Sequence, residues 1–96
     1  MEIESLEFWE TVKKEYNFNY DYQICASSNT FKYVWNDDDS TNKKVIRNLA
    51  TQFIIKKTLN VKIGTMWLFL NNSDDFCRTK IRIDFINWCI NKFKNK

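Results

Sequence analysis

The sequence predicts a single small α+β domain over residues 1–96, with the order α-β-β-α-β-α and a central, largely buried C-terminal helix. Apolar residues recur at helical spacing in three segments, aromatic residues alternate with polar ones in another, and no linker or internal repeat is visible. A mainly α fold is the alternative, in which residues 16–35 form short helices instead of a hairpin.

The C-terminal segment, residues 73–94, gives the strongest helix prediction. Its polar residues fall at spacings of three and four and form one narrow stripe: Lys80, Asp84, Asn87, Asn91 and Lys94. From Ile81 onward nearly every other residue is apolar, so most of the helix circumference should be buried. Ser73 is the candidate N-cap. A strand over residues 80–85 is the competing interpretation, because apolar and polar residues alternate there, but the longer stripe favours the helix.

Two further segments show the same periodicity, and we expect helices over Glu2 to Tyr16 and over Thr41 to Leu59. In both, the apolar residues follow the i, i+3, i+4 rule. They are Leu6, Phe8, Trp9, Val12 and Tyr16 in the first helix, and Val45, Ile46, Leu49, Ala50, Phe53 and Ile54 in the second.

The strand predictions rest on alternation with a period of two. Tyrosine, phenylalanine and isoleucine alternate with asparagine, aspartate and glutamine up to Cys25, which predicts a strand over residues 18–25. Residues 26–30 suit a hairpin loop, and residues 31–35 suit the return strand. Residues 65–70 are taken as a buried strand, with a short helix as the alternative.

The residue types argue against catalysis. The chain has no histidine, which removes the commonest general base and the usual zinc ligands. The run Asp37 to Asp39 lacks the glycine and the distal glutamate of an EF-hand calcium loop. We therefore expect a protein that is not an enzyme and that holds no metal or cofactor.

The cysteines and the start of the sequence predict a cytoplasmic protein. Cys25, Cys77 and Cys89 are an odd number without CxxC spacing, which suggests buried free thiols in a reducing compartment. Met1 leads into Glu2 with no basic start or apolar run, so no secretory signal is expected. The longest apolar run, residues 66–70, is too short to span a membrane.

Charge is distributed unevenly along the chain. Residues 1–40 carry nine acidic and three basic side chains, whereas residues 41–96 carry three acidic and twelve basic ones, which gives −6 and +9 within a net charge of +3. Such asymmetry often marks an interaction surface, although attraction between the two halves within the fold would give the same pattern.

The candidate site residues fall into three groups. The acidic group would dock on a basic groove of a partner protein: Glu4, Glu7, Glu10, Asp37, Asp38 and Asp39. The aromatic group would anchor that partner if the hairpin extends past the helices, the alternative being burial on the core: Tyr20, Tyr22 and Tyr33. The basic group would contact nucleic acid: Lys43, Lys44, Arg47, Arg78 and Arg82. For the last two arginines, pairing with the acidic first helix is the alternative.

The overall character of the chain resembles that of the small orphan proteins of bacteriophages, including counter-defence proteins of the anti-CRISPR kind. This resemblance rests on the opening MEIESLEFWETVKKEYNFNYDYQ, on the turn NDDDSTNKK and on the basic ending IDFINWCINKFKNK, all rich in residues with AT-rich codons. It implies a binder that disables a host enzyme by occupying its surface, often a nucleic-acid channel.

The sequence therefore leads to one functional hypothesis and one alternative. The first is a small non-catalytic inhibitor, encoded by a phage or mobile element, that acts in the host cytoplasm on a nucleic-acid-processing protein of a CRISPR-type defence, such as a nuclease bound to nucleic acid. The alternative is a nucleic-acid-binding module that uses the basic C-terminal half.

Overall fold

A computed structural model of the chain describes residues 2–20, 23–37, 40–57 and 78–95. Helices make up 84% of this described part and no strand occurs in it, so the α+β prediction is wrong and the mainly α alternative fits. The elements are α1 (Leu6–Glu15), a 3₁₀ helix (Phe18–Tyr20), α2 (Ile24–Ser27), α3 (Asn29–Asn36), α4 (Ser40–Lys56) and α5 (Arg78–Lys94). Among the described residues, no helix has both the length and the apolar character needed to cross a membrane.

The helices predicted from apolar periodicity are confirmed as α1, α4 and α5, although α1 begins at Leu6 and not at Glu2. The Ser5 hydroxyl caps α1 by accepting the backbone N–H of Phe8 at 3.2 Å. On α5 the predicted polar stripe faces solvent, with only Asn87 partly covered. The competing strand over residues 80–85 is wrong, because these residues belong to α5.

The predicted hairpin is wrong, because the described residues of this region form three short helices instead. Phe31 and Trp35 face the core together, as they would in a strand, but Val34 is buried with them and Tyr33 is 74% exposed. Burial at i, i+3 and i+4 is the helical pattern. In a run as short as this one, two residues four apart share a face in both structures, so alternation alone could not distinguish them.

Local hydrogen bonds explain why the first predicted strand does not form. The side chain of Asn17 accepts the backbone N–H of Asn19 at 2.9 Å, which starts a turn where a strand would need an extended backbone. At the predicted hairpin loop, the Ser28 hydroxyl accepts the N–H of Phe31 at 3.1 Å and thereby caps α3. Asparagine and serine therefore compete with the extended pairing that alternation suggests.

The core is a chain of aromatic rings that joins four helices. Trp9 of α1 packs edge-on against Phe31 of α3, at 6.1 Å between ring centroids, and against Phe85 of α5, at 5.4 Å. Phe85 also packs against Phe53 of α4, at 5.4 Å. Among the helices that the structure describes, the most extensive contact is between α1 and α5, so the acid-rich first helix lies along the basic last helix. Trp9 is fully buried, and α1 therefore shares the central position that the sequence assigns to α5 alone.

Several predictions concern residues outside the described ranges. These are the strand over residues 65–70, the turn that follows it and the Ser73 N-cap.

Candidate functional site

The exposed aromatic side chains lie in one part of the chain. Among the described residues, four large hydrophobic side chains are exposed, namely Phe18 (54%), Tyr20 (63%), Tyr33 (74%) and Ile55 (61%). The three aromatic ones lie in the 3₁₀ helix and on α3. Exposed aromatic rings combine a large apolar area with little conformational freedom, which makes them good anchors in protein interfaces.

Tyr33 stands between two surface grooves on α3. One groove has a volume of about 440 Å³ and is lined by Asn29, Lys32, Tyr33, Asn36 and Asp37. The other, of about 320 Å³, is lined by Asn29, Thr30, Tyr33 and Val34. The inward-facing residues Phe31, Val34 and Trp35 fix this outward position of Tyr33. We call the surface formed by Asn29, Lys32, Tyr33, Asn36 and Asp37 the Tyr33 face.

The Tyr33 face is held in place by a contact between α1 and α3. The carboxylate oxygen Oε1 of Glu15 accepts the backbone N–H of Thr30 at 2.9 Å and the hydroxyl of Ser28 at 3.1 Å. Ser28 is 1% exposed, and its oxygen accepts the N–H of Phe31 while its proton points to Glu15. This bonding anchors the start of α3, so Tyr33 projects from a fixed helix.

Burial and hydrogen bonding act in opposite directions on Glu15. Burial alone raises the pKa of its carboxyl group, but hydrogen bonds from the side chain and backbone of Thr30 and from the hydroxyl of Ser28 outweigh that effect. The pKa of Glu15 therefore lies below its ordinary value. This role could not be predicted from the sequence, because a glutamate late in an amphipathic helix normally faces solvent.

Asp37 brings negative charge to the Tyr33 face. It is the C-cap residue of α3, and its exposed carboxylate accepts a long hydrogen bond of 3.4 Å from the Asn42 side chain. The C-terminal end of a helix is itself a region of negative potential. An aromatic candidate and an acidic candidate thus meet at one groove.

The remaining acidic and aromatic candidates are distributed elsewhere. Glu4, Glu7 and Glu10 are exposed along the first helix and its N-terminal approach, and none of them lines the grooves beside Tyr33. Tyr20 is exposed on the 3₁₀ helix. The predictions for Tyr22, Asp38 and Asp39 lie outside the described residues.

The described basic candidates lie on α4 and α5. Lys44 and Arg47 are exposed one turn apart on α4, whereas the Lys43 ammonium lies 5.8 Å from the centre of the Trp35 ring. Arg82 is fully buried, so its side chain is not exposed for the nucleic-acid contact that the sequence predicts. The Arg78 side chain lies outside the described part of the chain.

The described cysteines are poor nucleophiles. Cys25 and Cys89 are buried, and neither forms a disulfide within the described part of the chain. Burial raises the pKa of both, well above the ordinary value for Cys89, and the nearby positive charge of Arg82 only partly offsets this at Cys25. The described residues contain no group of three or more potential ligands that could hold a metal ion.

A further groove of about 320 Å³ lies between α4 and α5. Its walls carry both apolar and polar side chains: Phe53, Lys57, Ile81, Asp84, Asn87, Trp88 and Asn91. Trp88 is half-buried there, edge-on to Phe53 at 5.9 Å. The sequence analysis did not identify this groove, nor the contribution of Asn29, Lys32 and Asn36 to the Tyr33 face. A helix predicted over residues 29–36 would have placed these three residues around Tyr33.

Comparisons with protein-family models, with curated proteins and with solved structures find no match to this chain. Its function must therefore be argued from its surface chemistry.

Proposed function

We infer that this chain is a small non-catalytic protein that binds a partner protein through the Tyr33 face and inhibits it. The observation that carries this proposal is the 74% exposure of Tyr33 between two grooves on an anchored helix. Tyrosine is enriched among the residues that dominate binding energy in interfaces.

The surrounding side chains suit a protein partner. Asparagine, lysine and aspartate around Tyr33 supply hydrogen-bond donors and acceptors at the rim of an aromatic anchor. The exposed carboxylates of Glu4, Glu7 and Glu10, at and before the N-terminal end of α1, would speed association with a positively charged partner there, whereas Lys13 and Lys14 are exposed at the other end of the helix. On the phage-like character of the sequence, we take the partner to be a nucleic-acid-processing defence protein in the host cytoplasm.

The proposal is tested by affinity purification with the intact chain as bait. Tyr33→Ala is the test variant, and Ile55→Ala is the matched control, because Ile55 is also a large exposed residue, 61% exposed, but lies on α4. We expect wild type and Ile55→Ala to retain the same partner, and Tyr33→Ala to bind it about 30-fold more weakly, as for a residue worth about 2 kcal/mol.

A second readout separates binding from inhibition. The purified partner is assayed for nucleic-acid cleavage or binding with increasing amounts of each variant, and circular dichroism first confirms that both variants are folded. Equal capture and equal inhibition by Tyr33→Ala and wild type would contradict the proposal.

Nucleic-acid binding remains the second candidate, because Lys44 and Arg47 are both exposed on one side of α4. This candidate requires an affinity that falls steeply with salt and is weakened by Lys44→Glu and Arg47→Glu. A gel-shift titration at low ionic strength without a shifted band would eliminate it.

A further inference from the structure

We propose that the groove between Tyr33 and Asp37 takes one arginine side chain of the partner. This inference rests on the proposed function and specifies the chemistry of the bound partner.

Residues four apart on a helix lie on the same side, about 5–6 Å apart at Cβ. Tyr33 and Asp37 have this spacing, and both line the groove of about 440 Å³. A group that enters there therefore meets the tyrosine ring and the aspartate carboxylate, which also accepts a hydrogen bond from Asn42. Asn29 and Asn36 line the same groove, and a side-chain amide can act as a hydrogen-bond acceptor as well as a donor.

The charge at this end of α3 favours a cation. The exposed carboxylate of Asp37 lies at the C-cap, where the helix dipole is also negative. Lys32 is the cation that lines this groove, and its exposed side chain can keep the ammonium group in water at the edge. We therefore expect a single arginine between neutral residues to bind better than a run of basic residues.

Arginine fits the two contacts better than lysine does. Its guanidinium group is planar, so it can stack on a tyrosine ring while its edge donates two hydrogen bonds to a carboxylate. The lysine ammonium is a compact, strongly hydrated charge and cannot make both contacts equally well. We therefore expect the arginine peptide to bind more tightly than the lysine peptide.

The test uses three short peptides that differ only at their central residue: acetyl-Gly-Arg-Gly-amide and its lysine and citrulline counterparts. Citrulline has nearly the shape of arginine but no charge. Each peptide is titrated into the ¹⁵N-labelled full chain, and amide chemical shifts are followed. We expect the arginine peptide to shift the amides of Tyr33, Asn36 and Asp37, the lysine peptide to bind more weakly, and the citrulline peptide to leave these amides unchanged.

Variants show which groups are responsible. Asp37→Asn and Tyr33→Leu should each weaken binding of the arginine peptide about fivefold. Asp84→Asn makes the same carboxylate-to-amide change at an exposed position on α5 and should leave the affinity unchanged. Equal shifts with the citrulline peptide, equal losses in Asp37→Asn and Asp84→Asn, or shifts confined to α1 would overturn the inference.

The two proposals fail separately. If partner capture depends on Tyr33 but the arginine peptide leaves the Tyr33 face unshifted, the arginine inference is wrong and the proposed function stands. If capture does not depend on Tyr33, the proposed function is wrong whatever the peptides do.

Discussion

The contact between Glu15 and the start of α3 gives the sharpest stability prediction. Glu15→Ala removes the oxygen that accepts the Thr30 N–H at 2.9 Å and the Ser28 hydroxyl at 3.1 Å. Glu15→Gln keeps an acceptor oxygen and removes only the charge. Since these bonds join α1 to the helix that carries Tyr33, both substitutions should destabilise the fold, the alanine variant more than the glutamine variant.

The size of the effect follows from the bonds involved. Loss of a helix cap costs about 1 kcal/mol, within a range of about 0.5–2, and a hydrogen bond to a charged group is worth about 1.5–3 kcal/mol. Glu15 is only partly buried, and water can solvate the groups it leaves. We therefore expect a loss of about 1–2 kcal/mol for Glu15→Ala and of about 0.5–1 kcal/mol for Glu15→Gln.

The assay is urea unfolding followed by tryptophan fluorescence, with Glu10→Gln as the control. Glu10 is an exposed glutamate on the same helix, so its replacement should change the free energy of unfolding by less than about 0.5 kcal/mol. A Ser28→Ala variant and the Glu15→Ala/Ser28→Ala double variant complete a cycle. Because the Ser28 hydroxyl serves both Glu15 and Phe31, the double variant should lose less than the sum of the two single losses.

The pH dependence gives an independent check with a defined sign. Against the effect of burial, hydrogen bonds from Thr30 and Ser28 lower the pKa of Glu15 in the folded state. Its contribution to stability is therefore fully present above the unfolded pKa of about 4.3 and is lost as the pH falls through the lower folded pKa. Stability of wild type should fall more steeply with acid than that of Glu15→Gln. Equal urea midpoints for Glu15→Ala and Glu10→Gln, with parallel acid profiles, would refute the reasoning.

Three further predictions concern the core. The buried hydroxyl of Tyr16 has no hydrogen-bond partner among the described residues, so Tyr16→Phe should leave thermal stability unchanged or raise it by about 1 kcal/mol, and a clear fall in melting temperature would argue against this. Arg82 is fully buried, so Arg82→Ala should cost about 3 kcal/mol or more in urea unfolding, whereas Lys80→Ala, at an exposed position, should cost less than about 0.5 kcal/mol. Burial raises the pKa of the Cys89 and Cys25 thiols. Both should therefore react with a thiol reagent in urea but hardly at all in the native protein. Rapid labelling of either cysteine in the native protein would contradict their burial.

Periodicity predicted the long helices because their burial pattern repeats over several turns. In α4 and α5, apolar residues recur often enough for a period of 3.6 to be distinguished from a period of two. The segment from Phe18 to Asn36 is divided among helices of three, four and eight residues, and over such lengths the two periods are hard to separate. The hairpin prediction failed there for that reason.

Part of the candidate site, namely the exposure of Tyr20 and Tyr33, is predicted by the sequence, but for an incorrect structural reason. The sequence analysis expects a protruding hairpin to expose them, whereas they are exposed on short helices. The groove that joins Tyr33 to Asp37 depends on their separation of four residues along α3, which a strand would not have brought together. The helical conformation of α3 also places Lys32 and Asn36 beside Tyr33 and Asp37.

The positions of the long helices and their apolar faces can be read from the sequence, because both depend on the spacing of neighbouring residues. The burial of Arg82, the capping of α3 by Glu15 and the outward position of Tyr33 beside Asp37 are seen only in the folded chain. These outcomes depend on which helices pack together. Packing joins residues that are far apart in the sequence, and the periodicity of a single segment carries no information about such contacts.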